Sequence, residues 1–225
     1  MHDLPVYLTF HGIGPAPSWV PANEVPYWIG EEDFRKLIAQ MSNANKRLQV
    51  EFVATFDDGN LSDIEIAAPV LKAQSVKGIF FPCAGRIEQG GYLSAKDLRK
   101  LRDAGFSVGS HGVDHLPWTT LAEADLHRET TEAKAMIEAA LGAPVTDAAL
   151  PFGSYNRRTL AALQAAGFEK VFSSDPGLSP RDAWFVRRFS YRTDRVFDLD
   201  EIVATHSSAL KRTLTEIKHQ IKALR

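Results

Sequence analysis

A single cysteine, Cys83, stands in the whole chain, which excludes an internal disulfide and a cysteine-built zinc site. The apolar stretch before it, Ile79-Phe80-Phe81-Pro82, makes it the end of a core strand with no chemistry of its own. A surplus of one charge is also lacking: 26 basic and 28 acidic residues leave a formal net charge of −2. The two signs are interleaved, which argues against nucleic acid or an anionic membrane as the main partner. No apolar run approaches the roughly 20 residues of a membrane span. Met1-His2-Asp3-Leu4-Pro5 has neither the basic head nor the apolar middle of a secretory signal, so a cytoplasmic location is expected. Internal repeats and low-complexity linkers are absent too. What is present is 44% hydrophobic and 24% charged residues, enough for a full core in 225 residues.

Hydrophobic patterning divides the chain into alternating strands and helices. Strands are predicted over residues 6–10, 50–56, 78–82, 106–109, 145–150, 169–172 and 184–191. Between them fall a helix from residue 31 with Phe34, Leu37, Ile38 and Met41 on one face, and one opened by Ser62 or Asp63 with Pro69 in or near its first turn. Further helices start at Ser94, span residues 121–141, and start at Asn156. Gly105, Gly142 and Gly167 end these three. An amphipathic helix over about 197–223 closes the chain. Seven alternations mean parallel β, in a barrel or a doubly wound sheet.

Polar residues decide between those two. His11, Asp57-Asp58, His111/His115 and Pro151-Phe152-Gly153 each follow a strand directly. In a β/α barrel all such loops open on one face, whereas an open sheet gathers only those at its switch point. A single α/β barrel domain over residues 1–225 is therefore expected.

Asp57 and Asp58 leave their strand on opposite sides, so one carboxylate can bind a cation while the other takes a proton. Asp-Asp-Gly alone is also ordinary turn chemistry. His111 and His115 are four apart, which on a helical turn brings both imidazoles to one ion. With an Asp from another strand end they make two nitrogens and one oxygen, the ligand count of a catalytic metal site with room for water. Asp57, beside the ligand Asp58, is then placed as the base.

Thr55-Phe56-Asp57-Asp58-Gly59, Ser110-His111-Gly112-Val113-Asp114-His115 and Leu150-Pro151-Phe152-Gly153 resemble, in order and spacing, the first three motifs of the polysaccharide deacetylases. That family is carbohydrate esterase family 4, which shares the nodulation-type chitooligosaccharide deacetylase homology domain. The resemblance implies a distorted (β/α)7 barrel and metal-dependent hydrolysis of an N-acetyl or O-acetyl group on a sugar or oligosaccharide. It implies Asp57 as catalytic base, Asp58, His111 and His115 as ligands of one divalent ion, and the Phe152 backbone N–H as an oxyanion donor. Zinc is expected, though two His and one Asp also suit cobalt, nickel or iron.

Two departures from the family pattern matter. The Arg often found two residues before the third-motif proline is Ala149 here, so Arg188 or Arg187 on the seventh strand is the candidate cation for Asp57. The general-acid histidine usually follows a late strand, where only His206 is available. Thr9-Phe10-His11-Gly12-Ile13 instead resembles the opening of the poly-N-acetylglucosamine deacetylase branch, in which the acid histidine comes first, and this favours His11. His2, His127 and His219 read as solvated. Trp19, Tyr27, Trp28, Trp118, Tyr155 and Trp184 fall in or near loops that could face a sugar. The alternatives are a hydrolase of another C–N bond on a related barrel (allantoinase-like or cyclic-imide amidase) and a non-catalytic sugar-binding relic. The sugar and the oligomeric state are open.

Overall fold

A computed structural model of the protein describes residues 4–206. Its strands are β1 (Val6–Phe10), β2 (Phe52–Asp58), β3 (Lys77–Pro82), β4 (Ser107–Val108), β5 (Asp147–Ala149), β6 (Lys170–Phe172), β7 (Phe185–Val186) and β8 (Phe189–Ser190). All their pairings are parallel, in two sheets ordered β4-β3-β2-β1-β8 and β5-β6-β7.

Two seams join the sheets. Past β4, Ser110 N donates to the Asp147 carbonyl at 2.9 Å, and Ala149 N donates to the Ser110 carbonyl at 2.8 Å. At the other seam, the predicted strand 184–191 is broken in two. Its first half, β7, pairs with β6, and its second half, β8, pairs with β1. The break falls at Arg187-Arg188, so the last of seven strand positions closes a distorted (β/α)7 barrel.

The helices are α1 (Glu31–Leu48), α2 (Ala68–Gln74), α3 (Ala95–Asp103), α4 (Glu123–His127), α5 (Ala133–Leu141), α6 (Arg157–Ala165) and α7 (Leu199–His206). Phe34, Leu37, Ile38 and Met41 are buried on α1, as their spacing requires. Ser94 and Asn156 each form a reciprocal capping box, and Pro69 sits in the first turn of α2. Ser62 makes no cap; its hydroxyl accepts from Ile13 N at 3.2 Å instead. The predicted helix 121–141 is α4 and α5 joined by a π-helical turn, Arg128–Glu132, and a second π turn, Asp63–Ala67, leads into α2. Of the helix expected over 197–223, α7 is described and the part beyond 206 lies outside the described residues.

Strand alternation sorts β2 into two faces. Phe52, Ala54 and Phe56 pack outward beneath the helices, where the Phe56 ring stacks 4.7 Å from Phe80 and 5.5 Å from Phe10. Val53 points inward with Tyr7, Phe81, Ala149, Phe172 and Val186. Thr55 and Asp57 share the Val53 side, so Asp57 is delivered to the barrel interior and Asp58 to the other side of the chain.

Candidate metal centre

Asp57 meets a buried cation at the end of that inward face. Arg188 grips it with both prongs, Nη1 to Oδ1 at 2.7 Å and Nη2 to Oδ2 at 2.8 Å. The guanidinium is itself held: Nε donates to the Ser173 carbonyl at 3.0 Å, and Nη1 also reaches Thr55 Oγ1 at 3.3 Å. Phe81 and Phe172 lie 5.5 and 6.0 Å from it as aromatic faces. Burial alone would raise the Asp57 carboxyl, but the Arg188 charge and hydrogen bonds outweigh it and hold the pKa at about 2. Arg187 is buried too, yet the cation on Asp57 is Arg188.

Asp58 turns away at φ 80°, a conformation rare for a residue with a side chain. Its Oδ1 lies 3.4 Å from His115 Nε2 and 2.9 Å from Arg86 Nη1. His111, fully buried, has Nδ1 2.9 Å from the Ala149 carbonyl. A carbonyl only accepts, so Nδ1 carries the proton and Nε2 keeps a lone pair. Burial, first of all, lowers His111 to about 4 and also lowers His115, so both rings are neutral at pH 7. One ligand atom each from Asp58, His111 and His115 lies within 4.8 Å of the others. An ion with bonds of about 2.1 Å can bridge that set with small side-chain movements, and neutral imidazoles with one carboxylate are the form such ions bind. The residues present fit a divalent ion.

The two histidines do not share a helical turn, contrary to the spacing argument. Gly112 at φ 82° and His115 at φ 55° fold residues 111–115 into an irregular loop. Glu129 holds that loop from the π turn between α4 and α5. Its buried carboxylate accepts from Val113 N at 2.9 Å, Asp114 N at 3.0 Å and the Trp118 indole at 3.3 Å. A Cβ on Gly112 would stand 2.4 Å from Glu129 Oε2, so only glycine fits there.

His11, Tyr27, Trp28 and Phe152 join the ligand set and Asp57 around a cavity of about 360 Å³. His11 directly follows β1 with its ring 4.9 Å from that of Tyr27, and its Nδ1 is buried with no partner among the described residues. Phe152 adopts φ 57° and exposes 56% of its surface, with its ring 4.4 Å from that of His115. Three of the positive-φ side-chain residues, Asp58, His115 and Phe152, thus meet at this cavity, where strain commonly concentrates. His206 closes α7, and its side chain lies outside what is described, as do His2 and His219. Trp118 and Tyr155 are buried, and Trp184 donates its indole N–H to the Phe168 carbonyl at 2.9 Å, so these three serve packing.

Sequence reasoning missed Glu129, Arg86 and Asp63. Asp63 is completely buried in the other π turn, and neither oxygen has a partner among the described residues. Burial, with the charges of Asp58 and Asp57, pushes its pKa well above 3.8. In the sequence Asp63 reads only as a helix cap, and no spacing rule marks a site role for Glu129 or Arg86. The only clue was that two N–H groups in the turn between His111 and His115 would need an acceptor.

Comparison with known proteins bears on the family and the fold. A family profile described as polysaccharide deacetylase matches residues 45–171, a span that contains Asp57, Asp58, His111, His115 and Phe152 but neither His11 nor Arg188. YxkH of Bacillus subtilis strain 168, whose name assigns it to the polysaccharide deacetylases, is 26% identical over 188 residues, covering 80% of this chain and 67% of its own. The Streptococcus pyogenes deacetylase PplD, solved with acetate, superposes with a TM-score of 0.73 at 16% identity, covering 91% of this chain and 98% of its own. A de-N-acetylase from Aggregatibacter actinomycetemcomitans gives 0.72 at 14% identity, covering 87% and 97%. At those identities the two structures speak for the barrel, while the family profile spans more than half of the chain. The chain belongs to the polysaccharide deacetylase family.

Proposed function

We propose that this protein is a metal-dependent hydrolase that removes N-acetyl groups from a carbohydrate, with Asp58, His111 and His115 holding the ion. The observation that carries the reading is the convergence of these three donors beside the separately anchored Asp57. A divalent ion at such a site polarises an acetyl carbonyl and makes water easier to deprotonate.

The chain's own groups supply the rest. Asp57, ionised throughout the physiological range, accepts the proton of the attacking water as its oxygen bonds to the acetyl carbon. Each carboxylate oxygen has two acceptor sites, so the Arg188 fork leaves room for that proton. A carboxylate held at about 2 is a weak base, and Arg188 acts chiefly to fix its direction and charge. The backbone N–H of Phe152, a cavity-lining residue at φ 57°, is assigned to donate to the oxygen that becomes negative. His11 protonates the departing nitrogen as the C–N bond breaks, leaving acetate and a free amine. Tyr27 and Trp28 line the cavity beside His11. The Asp57–Arg188 pair supports an enzyme over a relic, because it supplies the cation missing at Ala149. The de-N-acetylase of similar fold favours the N-acetyl bond.

The test is acetate release from N-acetylglucosamine oligomers, abolished by a chelator and restored by zinc, with cobalt, nickel and iron compared. Asp57→Asn should be inactive with its metal content unchanged, and His111→Ala should lose the metal. Full activity of Asp57→Asn would remove Asp57 from the base role. Turnover of cyclic imides without acetate release would move the assignment to another C–N bond.

A further inference from the structure

Arg188, which holds Asp57, follows β7, whereas Phe152, assigned to the developing oxyanion, follows β5. Between those strands lies β6, and the loop after it, residues 173–175, touches both groups. The Ser173 carbonyl accepts from Arg188 Nε at 3.0 Å, and the Ser173 hydroxyl accepts from Asp175 N at 3.2 Å. Asp175 Oδ2 in turn accepts from the Tyr155 hydroxyl at 2.5 Å. Tyr155 is buried on the loop that carries Phe152, with its ring 5.0 Å from that of Phe185. The ring packs; the hydroxyl has a separate task. Asp57, Arg188, Ser173, Asp175 and Tyr155 therefore form one run of hydrogen bonds that leads from the candidate base to the loop of the oxyanion donor.

That loop needs an anchor. Phe152 stands at φ 57° and leaves 56% of its surface exposed, so its own side chain does little to hold a strained backbone. The bonds within the turn are local, Gly153 N to the Leu150 carbonyl at 3.0 Å and Ser154 N to the Pro151 carbonyl at 3.1 Å. The contact with the loop after β6 is tight as well: a Cβ on Gly153 would stand 2.7 Å from Ser174 Cβ. A phenol donating to a carboxylate is among the stronger hydrogen bonds, and here it joins the two loops beside that contact.

We propose that Asp175, acting through Tyr155, is a positioning residue for the Phe152 N–H, and that the loop after β6 is a strut keeping oxyanion donor and base at a fixed separation. The inference rests on the deacetylase reading above. The experiment compares zinc-loaded wild type, Tyr155→Phe, Asp175→Ala, Asp175→Asn and the Tyr155→Phe/Asp175→Ala double variant. It measures zinc content, acetate affinity, and kcat and KM for acetate release from N-acetylglucosamine oligomers. Tyr155→Phe and Asp175→Ala should each lower kcat about tenfold and weaken acetate binding about tenfold, with KM and zinc content unchanged. The double variant should be no worse than either single one, and Asp175→Asn, which keeps an acceptor oxygen, should retain most of both properties. Unchanged kcat and acetate affinity in the single variants, additive losses in the double, or losses that follow zinc content overturn the strut. Acetate binding that depends on both residues, in a protein releasing none from the oligomers, would sustain the strut and refute the deacetylase reading. Acetate release indifferent to both residues would do the reverse, and a wild type that neither binds nor releases acetate overturns both.

Discussion

Asp57 and Asp58 are chain neighbours with different partners, set apart by the alternation of a strand and by the turn of Asp58 at φ 80°. Asp57 faces inward to Arg188, while Asp58 turns out to His115 and Arg86. Removing Arg188 would leave a buried carboxylate unpaired, so Arg188→Met should lower stability by about 3–5 kcal/mol, measured by denaturant unfolding. Arg188→Lys keeps a charge but loses the fork; the acid limb of its pH–rate profile should move upward as the Asp57 pKa rises from about 2. Asp63 has the opposite sign. Its raised pKa means that folding is penalised as pH climbs above 3.8, so Asp63→Asn should be more stable than wild type at neutral pH. That gain should shrink as pH falls to 3.8, and a gain equal at both ends would show that ionisation is not its source. Asp57, Asp58, His111 and His115 were legible because their residue types and strand-end positions coincide. The choice of Arg188 over Arg187 was not, since both sit on one apolar run and only the break in that strand separates their directions.

Among the elements, the helix 121–141 shows most clearly what periodicity can and cannot give. Its apolar spacing marked the span, yet the π turn at Arg128–Glu132 is invisible to a 3.6-residue pattern. That turn carries Glu129, as the second π turn carries Asp63, so each distortion places a buried acid close to the candidate centre. The His111–His115 spacing suggested a helical turn, but Gly112 and the Glu129 carboxylate impose a loop instead. Glu129→Ala should therefore weaken metal binding about 10–100-fold in a chelator competition, with helix content by circular dichroism preserved. Glu129→Gln, which keeps an acceptor oxygen, should lose less.

At the scale of the whole molecule, strand–helix alternation and the clustering of polar residues after strands were enough to expect a barrel. They did not reveal that it comprises two sheets, because strands of two or three residues are defined by partners distant in sequence. The candidate centre gathers donors from the ends of β2 and from the loop after β4, with Asp57 anchored to Arg188 between β7 and β8. An ion bound there favours the closed barrel over the unfolded chain. At a concentration one hundred times its dissociation constant it should stabilise the fold by about 2.7 kcal/mol, seen as a melting temperature that falls when a chelator is added.

The interruption at Arg187-Arg188 couples architecture to chemistry. The stitch that completes the ring also carries the counter-ion of the residue assigned to proton transfer. A chain whose final strand has come undone would therefore lose its enclosure and its working carboxylate together. If Asp57 has the proposed role, turnover would require that last stitch to be in place.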